Sequence, residues 1–283
     1  MSADDGSGDR RSEPPGDTPA PGGVVLLDRG PYVLEVEDRF DADELDRSLW
    51  FPYYLPQWSS RPAAAARYEV GGGRLRLRVD EDQAPWCPDL DGGLRVSSLQ
   101  TGVFAGPLGS RAGQHRFHPD AVVREEQDER RLWTPHHGLV EVRLRATDDP
   151  HAMVAMWLIG FEDRPERSAE ICVVEIFGRD VTPDAAAVGM GVHPFGDPAV
   201  REDFARPVLA IDAREPHTYA AEWTSERVRF FCDGVLVRTV HQSPDYPMQV
   251  MLDVYAFPDG DAPPPGPYPK VLDVEWFRGY RRR

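Results

Sequence analysis

Residues 168–177, Ser-Ala-Glu-Ile-Cys-Val-Val-Glu-Ile-Phe, form an apolar, β-branched run interrupted by two glutamates five positions apart. By propensity such a run is a strand. Side chains of a strand alternate between its faces, so Glu170 and Cys172 share one face and Glu175 would point to the other. One extra residue, a β-bulge between Cys172 and Glu175, restores the parity and puts all three on one face. Two carboxylates on one face of an apolar strand are expensive to desolvate. A chain carries that cost more readily where the groups line a cleft and do chemistry.

The rest of the chain reads as more strands. Leu75, Leu77 and Val79 alternate with arginines after Gly71-Gly72-Gly73, which is a hairpin with one wet face. Residues 138–146 alternate as well, and residues 153–159 are continuously apolar, as in a strand buried on both faces. Residues 228–238 form a hairpin around Asp233-Gly234. Helical periodicity is almost absent. Many short strands with Gly/Pro turns predict an all-β fold, a β-sandwich or jelly roll. Residues 1–23 are acidic and Gly/Pro-rich and are expected to be a disordered tail. Residues 24–283 are expected to form one sandwich domain, with 259–269 as a Pro/Gly connector.

Net charge is −16 with a pI near 4.9. That argues against nucleic acid and anionic membrane surfaces as partners and favours neutral glycans over acidic ones. Cys87, Cys172 and Cys232 are too few and too scattered for a disulfide framework, and no Cys/His group has metal spacing. His115 and His118, in the long segment 102–134, read as surface histidines. That segment is expected to shape one wall of a cleft, and within it residues 122–132 suit a short helix or a β-ribbon. Residues 1–23 hold no signal-peptide core and no later stretch is long enough to span a membrane, so the sequence reads as cytoplasmic. Export by another route, or from a different start site, is the alternative. A monomer is expected.

The segment Glu170-Ile171-Cys172-Val173-Val174-Glu175 resembles the catalytic signature of glycoside hydrolase family 16, the laminarinase and β-glucanase family, whose pattern is Glu-x-Asp-x-x-Glu on a bulged strand. Phe40-Asp41 leading to Trp50, the Gly-x-x-Glu-x-Arg strand from Gly138, the His217-Thr218-Tyr219-Ala220-Ala221-Glu222-Trp223 strand and the Asp-Gly hairpin are similar to the family in their proper order. The resemblance runs from about residue 40 to 277. It implies a concanavalin A-like sandwich and a retaining hydrolase of a neutral β-linked polysaccharide, of the β-glucan or galactan class. Glu170 would be the nucleophile and Glu175 the general acid/base, provided Glu175 holds the drier position. Cys172 stands where the family has Asp, and its thiol should stay neutral between two carboxylates. A non-catalytic glycan-binding sandwich with a degenerate site is the alternative. The resemblance also makes Trp157 a sugar platform beside the nucleophile and His193 a sugar-hydroxyl ligand, while Trp157 reads equally as ordinary core. Trp58, in the aromatic, Pro-broken segment 50–58, is either a cleft-rim platform or packing. Trp133 is a further sugar-binding candidate. No cofactor is implied. A structural calcium, frequent in relatives, finds no acidic cluster to which it can be assigned.

Overall fold

Alternation is obeyed in the strand that follows Gly71-Gly72-Gly73. In Leu75–Val79 the two leucines and the valine are buried and the two arginines between them are only partly covered. The computed structural model describes residues 23–258 and 267–283, and within them two antiparallel sheets enclose one main core. The expected tail and most of the 259–269 connector lie outside the described residues.

The first sheet has eight strands, centred on the long strand Lys270–Arg282. That strand pairs with Gly138–Arg145 on one side, and with Leu75–Val79 and then Tyr32–Asp38 on the other. The strands His217–Trp223, Val228–Cys232 and Val235–Val240 continue outward from Gly138–Arg145. The turn between the last two has positive φ at both Asp233 and Gly234, the hairpin geometry that an Asp-Gly pair favours.

The second sheet has six strands, in the spatial order Asp203–Ala205, Gly189–His193, Glu170–Phe177, Ala152–Gly160, Met248–Ala256 and Arg95–Gln100. Its inner face carries Val154, Met156, Leu158, Ile171, Ile176, Val250, Leu252 and Val254 into the main core. Its outer face would be wet in a simple sandwich. Here loops cover part of it and bury a second cluster containing Tyr54, Leu55, Trp58, Trp86, Val123, Met153, Trp157 and Tyr255. This explains why residues 153–159 are apolar without alternation: both faces of that strand are buried.

The 102–134 segment is pinned to this sheet by a relay of glutamines. Gln249 Nε2 donates to Gln100 Oε1 at 2.8 Å, and Gln114 Nε2 donates to Gln249 Oε1. At the foot of the segment, Gly102–Val103 pairs with Arg130–Arg131, so the ribbon expected over 122–132 is confined to two residues. Among the described residues no helix is long and apolar enough to cross a membrane.

Candidate active site

The strand Glu170–Phe177 carries the bulge that its sequence calls for. Toward Ala152–Gly160, Trp157 pairs with Cys172 and Met156 with Val174, which leaves Val173 as the extra residue. Toward Gly189–His193, Gly191 pairs with Cys172 and Gly189 with Glu175. Val173 and Val174 both face the main core, and the parity of every later residue is reversed. Glu170, Cys172 and Glu175 therefore line one open cleft of about 300 Å³ on the outer face, together with His115, Trp157 and His193.

The two carboxyls sit in different environments. Glu170 is 9% exposed, and no hydrogen-bond partner for it is found among the described residues. Burial pushes its pKa well above the usual carboxylate range, and the nearby Glu175, Asp253 and Glu202 push it further. Glu175 is less covered, and burial raises it less because Arg206, His193 and Arg179 oppose the rise. The drier carboxyl is thus Glu170. This reverses the expectation that Glu175 holds the drier position. Two arginines lie over Phe177 beside Glu175, whereas the charges that perturb Glu170 are all acidic.

Cys172 is buried, and its thiol faces the Gly189 carbonyl oxygen at 3.8 Å. Burial, then Glu170 and Glu175, hold it protonated. It lies within the expected constellation as a neutral, weak donor.

Asp253 is the residue that the sequence reading missed. It lies on the strand Met248–Ala256, fully buried beneath the cleft, and accepts the indole N–H of Trp157. Burial raises its pKa to about 7. The signal was available, since an Asp in the middle of Met-Gln-Val-Met-Leu-Asp-Val-Tyr-Ala is as anomalous as the two glutamates. Glu162 is a second such group. It is 9% exposed, accepts the His115 backbone N–H at 2.5 Å, and has its pKa raised by burial to about 8.

The sugar-facing candidates divide. Trp157 is in the cleft, but only 5% exposed and edge-on to the His115 ring at 5.0 Å, so it presents a rim and not a face. His193 lines the cleft, pairs in register with Glu170 and holds Glu202 through Nδ1 at 2.9 Å. His115 is a correction to the surface reading: it projects from the 102–134 segment into the cleft wall, and burial lowers its pKa to about 4. His118 stays near the surface beside Asp120. Phe195, 53% exposed, stands at the rim against His115 and His193 and offers the open aromatic surface that Trp157 does not. Beyond His115 and Phe195 the cleft adjoins a chamber of about 460 Å³.

Two tryptophans are corrected outright. Trp58 has no exposed surface; its indole N–H donates to the Gln114 carbonyl at 2.8 Å and its ring packs on Gly113. Trp133 lies in the main core against Phe277, with ring centroids 5.8 Å apart. It covers Gly279, where an added Cβ would come within 2.2 Å of the indole. Neither can reach a sugar. Trp58→Phe is expected to lower stability by about 1–3 kcal/mol, because the hydrogen bond to the loop is lost. KM for a cleaved glycan should not change; thermal denaturation and steady-state kinetics read the two separately.

Residues 133–262 match the profile described as Glycosyl hydrolases family 16. That segment is similar to family 16 sequences. It holds the bulged strand, the His217–Trp223 strand and the Asp-Gly hairpin. The solved GlcNAcα1-4Gal releasing endo-β-galactosidase from Clostridium perfringens is similar at 26% identity and a TM-score of 0.75. The match covers 94% of this chain and 66% of that one, so this chain spans about two thirds of that protein's length. The non-specific endo-β-1,3(4)-glucanase SCLam, of family 16, shares the fold at 18% identity and a TM-score of 0.62, over 92% of this chain and 96% of that one. The laminarinase from Flavobacterium sp. UMI-01 does so at 16% identity and a TM-score of 0.59, over 88% and 100%. No protein of curated function matches the chain. The family 16 resemblance and the all-β jelly-roll expectation are both upheld.

Proposed function

We propose that the chain hydrolyses O-glycosidic bonds within a neutral, β-linked polysaccharide with retention at the anomeric carbon, and that the galactan class is favoured over β-glucan. The observation that carries this reading is the bulge at Val173. It gathers Glu170, Cys172 and Glu175 at the floor of an open, aromatic-rimmed cleft. The preference for galactan rests on the higher similarity to an endo-β-galactosidase than to the glucanases. A variant of LamA from Z. galactanivorans, which shares the fold at 14% identity and a TM-score of 0.60, has been crystallised with laminaritriose and laminaritetraose, which supports an oligosaccharide in such a cleft.

Retention needs one carboxylate to attack the anomeric carbon and one carboxylic acid to protonate the leaving oxygen. The pair must therefore hold one proton, and Glu175 must carry it when Glu170 attacks. In the free protein burial favours Glu170 as the proton's site. A sugar over the cleft covers Glu175, the more open of the two, and removes water from it. Its proton affinity then rises and the proton moves toward the productive arrangement.

Cys172 makes that rearrangement harder. A protonated Asp carboxyl at this place would donate to the ionised Glu170 a stronger hydrogen bond than a thiol does. Such a bond is worth about 1.5–3 kcal/mol, on the order of 10- to 100-fold in rate. Cys172→Asp is expected to raise kcat on β-galactan, laminarin or lichenan by that factor, read as reducing ends released. The wild type should already turn over at least one of them, and Glu170→Gln should not. A wild type that binds these glycans without cleaving any, joined by a Cys172→Asp variant that does cleave, would establish the glycan-binding reading in its place.

A further inference from the structure

Adjacent residues of an extended chain point to opposite sides. His136 and His137 do not. His137 has a φ of 66°, the left-handed region that a non-glycine residue enters only when its surroundings demand it. The result is two imidazoles side by side, with ring centroids 4.3 Å apart and planes at 37°. Both present Nε2 to one carboxylate oxygen, Asp245 Oδ1: His136 at 2.7 Å and His137 at 3.4 Å. The three ligand atoms lie within 4.8 Å of one another. His137 Nε2 is buried and makes no hydrogen bond, so a lone pair or proton is left without a use of its own.

The elements behind these side chains are fixed. Trp223 packs edge-on against His137, with centroids 5.0 Å apart. Its indole N–H is held by Ser243 Oγ at 2.7 Å and the Pro244 carbonyl at 3.0 Å, which ties down the loop that carries Asp245. The Pro135 carbonyl accepts the Met248 N–H at 2.9 Å and closes the other end. Outer contacts of this kind hold ligands in place before a metal arrives.

We propose that His136, His137 and Asp245 form a binding site for a borderline divalent transition metal ion, of which zinc is the representative. Two imidazoles and one carboxylate from fixed elements suit such an ion and leave a coordination position for water. A second His/Cys/Asp group, His217, Cys232 and Asp233, does not compete. There both ring nitrogens of His217 are already engaged, by Asp233 at 2.6 Å and the Asp212 carbonyl at 3.1 Å. The ion would fasten the 241–247 loop to the start of the strand Gly138–Arg145. Next to Asp245, Tyr246 donates to Asp197 and accepts the Ala169 N–H, so the clasp adjoins the support of the strand that begins at Glu170. The linear sequence conceals the trio because Asp245 lies 109 residues from His136.

Isothermal titration of tag-free, chelator-stripped protein with zinc chloride tests this. One equivalent should bind, and a hundredfold excess over Kd should raise Tm by about 5–10 °C. Asp245→Ala and His137→Asn should each weaken binding at least tenfold; both are chosen to fold, the first for its exposure and the second because Asn tolerates the left-handed backbone. His217→Ala should leave binding unchanged. Failure of the wild type to take up one equivalent, binding unaltered in Asp245→Ala and His137→Asn, or loss of binding in His217→Ala would each overturn the assignment.

Discussion

Replacing Glu175 by glutamine is expected to reduce kcat about 10²- to 10⁴-fold, the usual contribution of a positioned general acid, with little change in Tm. Replacing Glu170 by glutamine should cost at least as much, since no carboxylate is left to form the covalent intermediate. Stability should respond differently. Glu170 is buried among acids and favours its neutral form, so an uncharged amide of the same shape is accommodated without penalty and can raise Tm. The alanine variants separate the two roles. Azide entering the space left at Glu170 attacks the face that the carboxylate used and gives an α-glycosyl azide. In the Glu175 variant, azide displaces the glycosyl-enzyme from the opposite side and gives the β-anomer. The reverse pairing would mean that the roles follow the burial of the free protein, with Glu170 as the acid.

The second large effect is on stability against pH. Asp253 has its pKa raised to about 7 and Glu162 to about 8, both chiefly by burial. The sign follows from linkage. Acids with raised native pKa values keep protons that the unfolded chain has already lost, so stability falls as pH rises from about 4 to about 8. At about 1.4 kcal/mol per pH unit, Asp253 alone accounts for a loss on the order of 4 kcal/mol across that window. Asp253→Asn should match the wild type near pH 4 and exceed it by a few kcal/mol at pH 8, in denaturant titrations at each pH. A variant that gains nothing at pH 8 would show that Asp253 is not buried as an acid.

Much of the site was legible because it is local. Two glutamates in an apolar strand, with the wrong parity for a shared face, require a bulge, and the register shift at Val173 supplies it. The Asp-Gly turn and the alternation of Leu75–Val79 were legible for the same reason. What was not legible depends on distant segments. Trp58 and Trp133 look like any exposed indole in sequence, and only the Gln114 carbonyl and the glycine at 279 show that they are buried. His115 reaches the cleft because three glutamines, from positions 100, 114 and 249, anchor its loop. The proton affinity of Glu175 is held down by Arg206 and Arg179, which follow it in the chain but reach it through the fold. Asp253 differs from these. It was visible as a charge in an apolar strand and passed over because its neighbours read as core.

Proton NMR of the anomeric signals during cleavage of a β-galactan oligosaccharide, recorded before mutarotation, tests most directly whether the carboxyl pair acts as nucleophile and acid on a β-linked glycan. The β-anomer of the new reducing end should appear first and decay to the equilibrium mixture, and the signal should be absent with Glu170→Gln. An α-anomer appearing first, or cleavage that persists in Glu170→Gln, would contradict those roles.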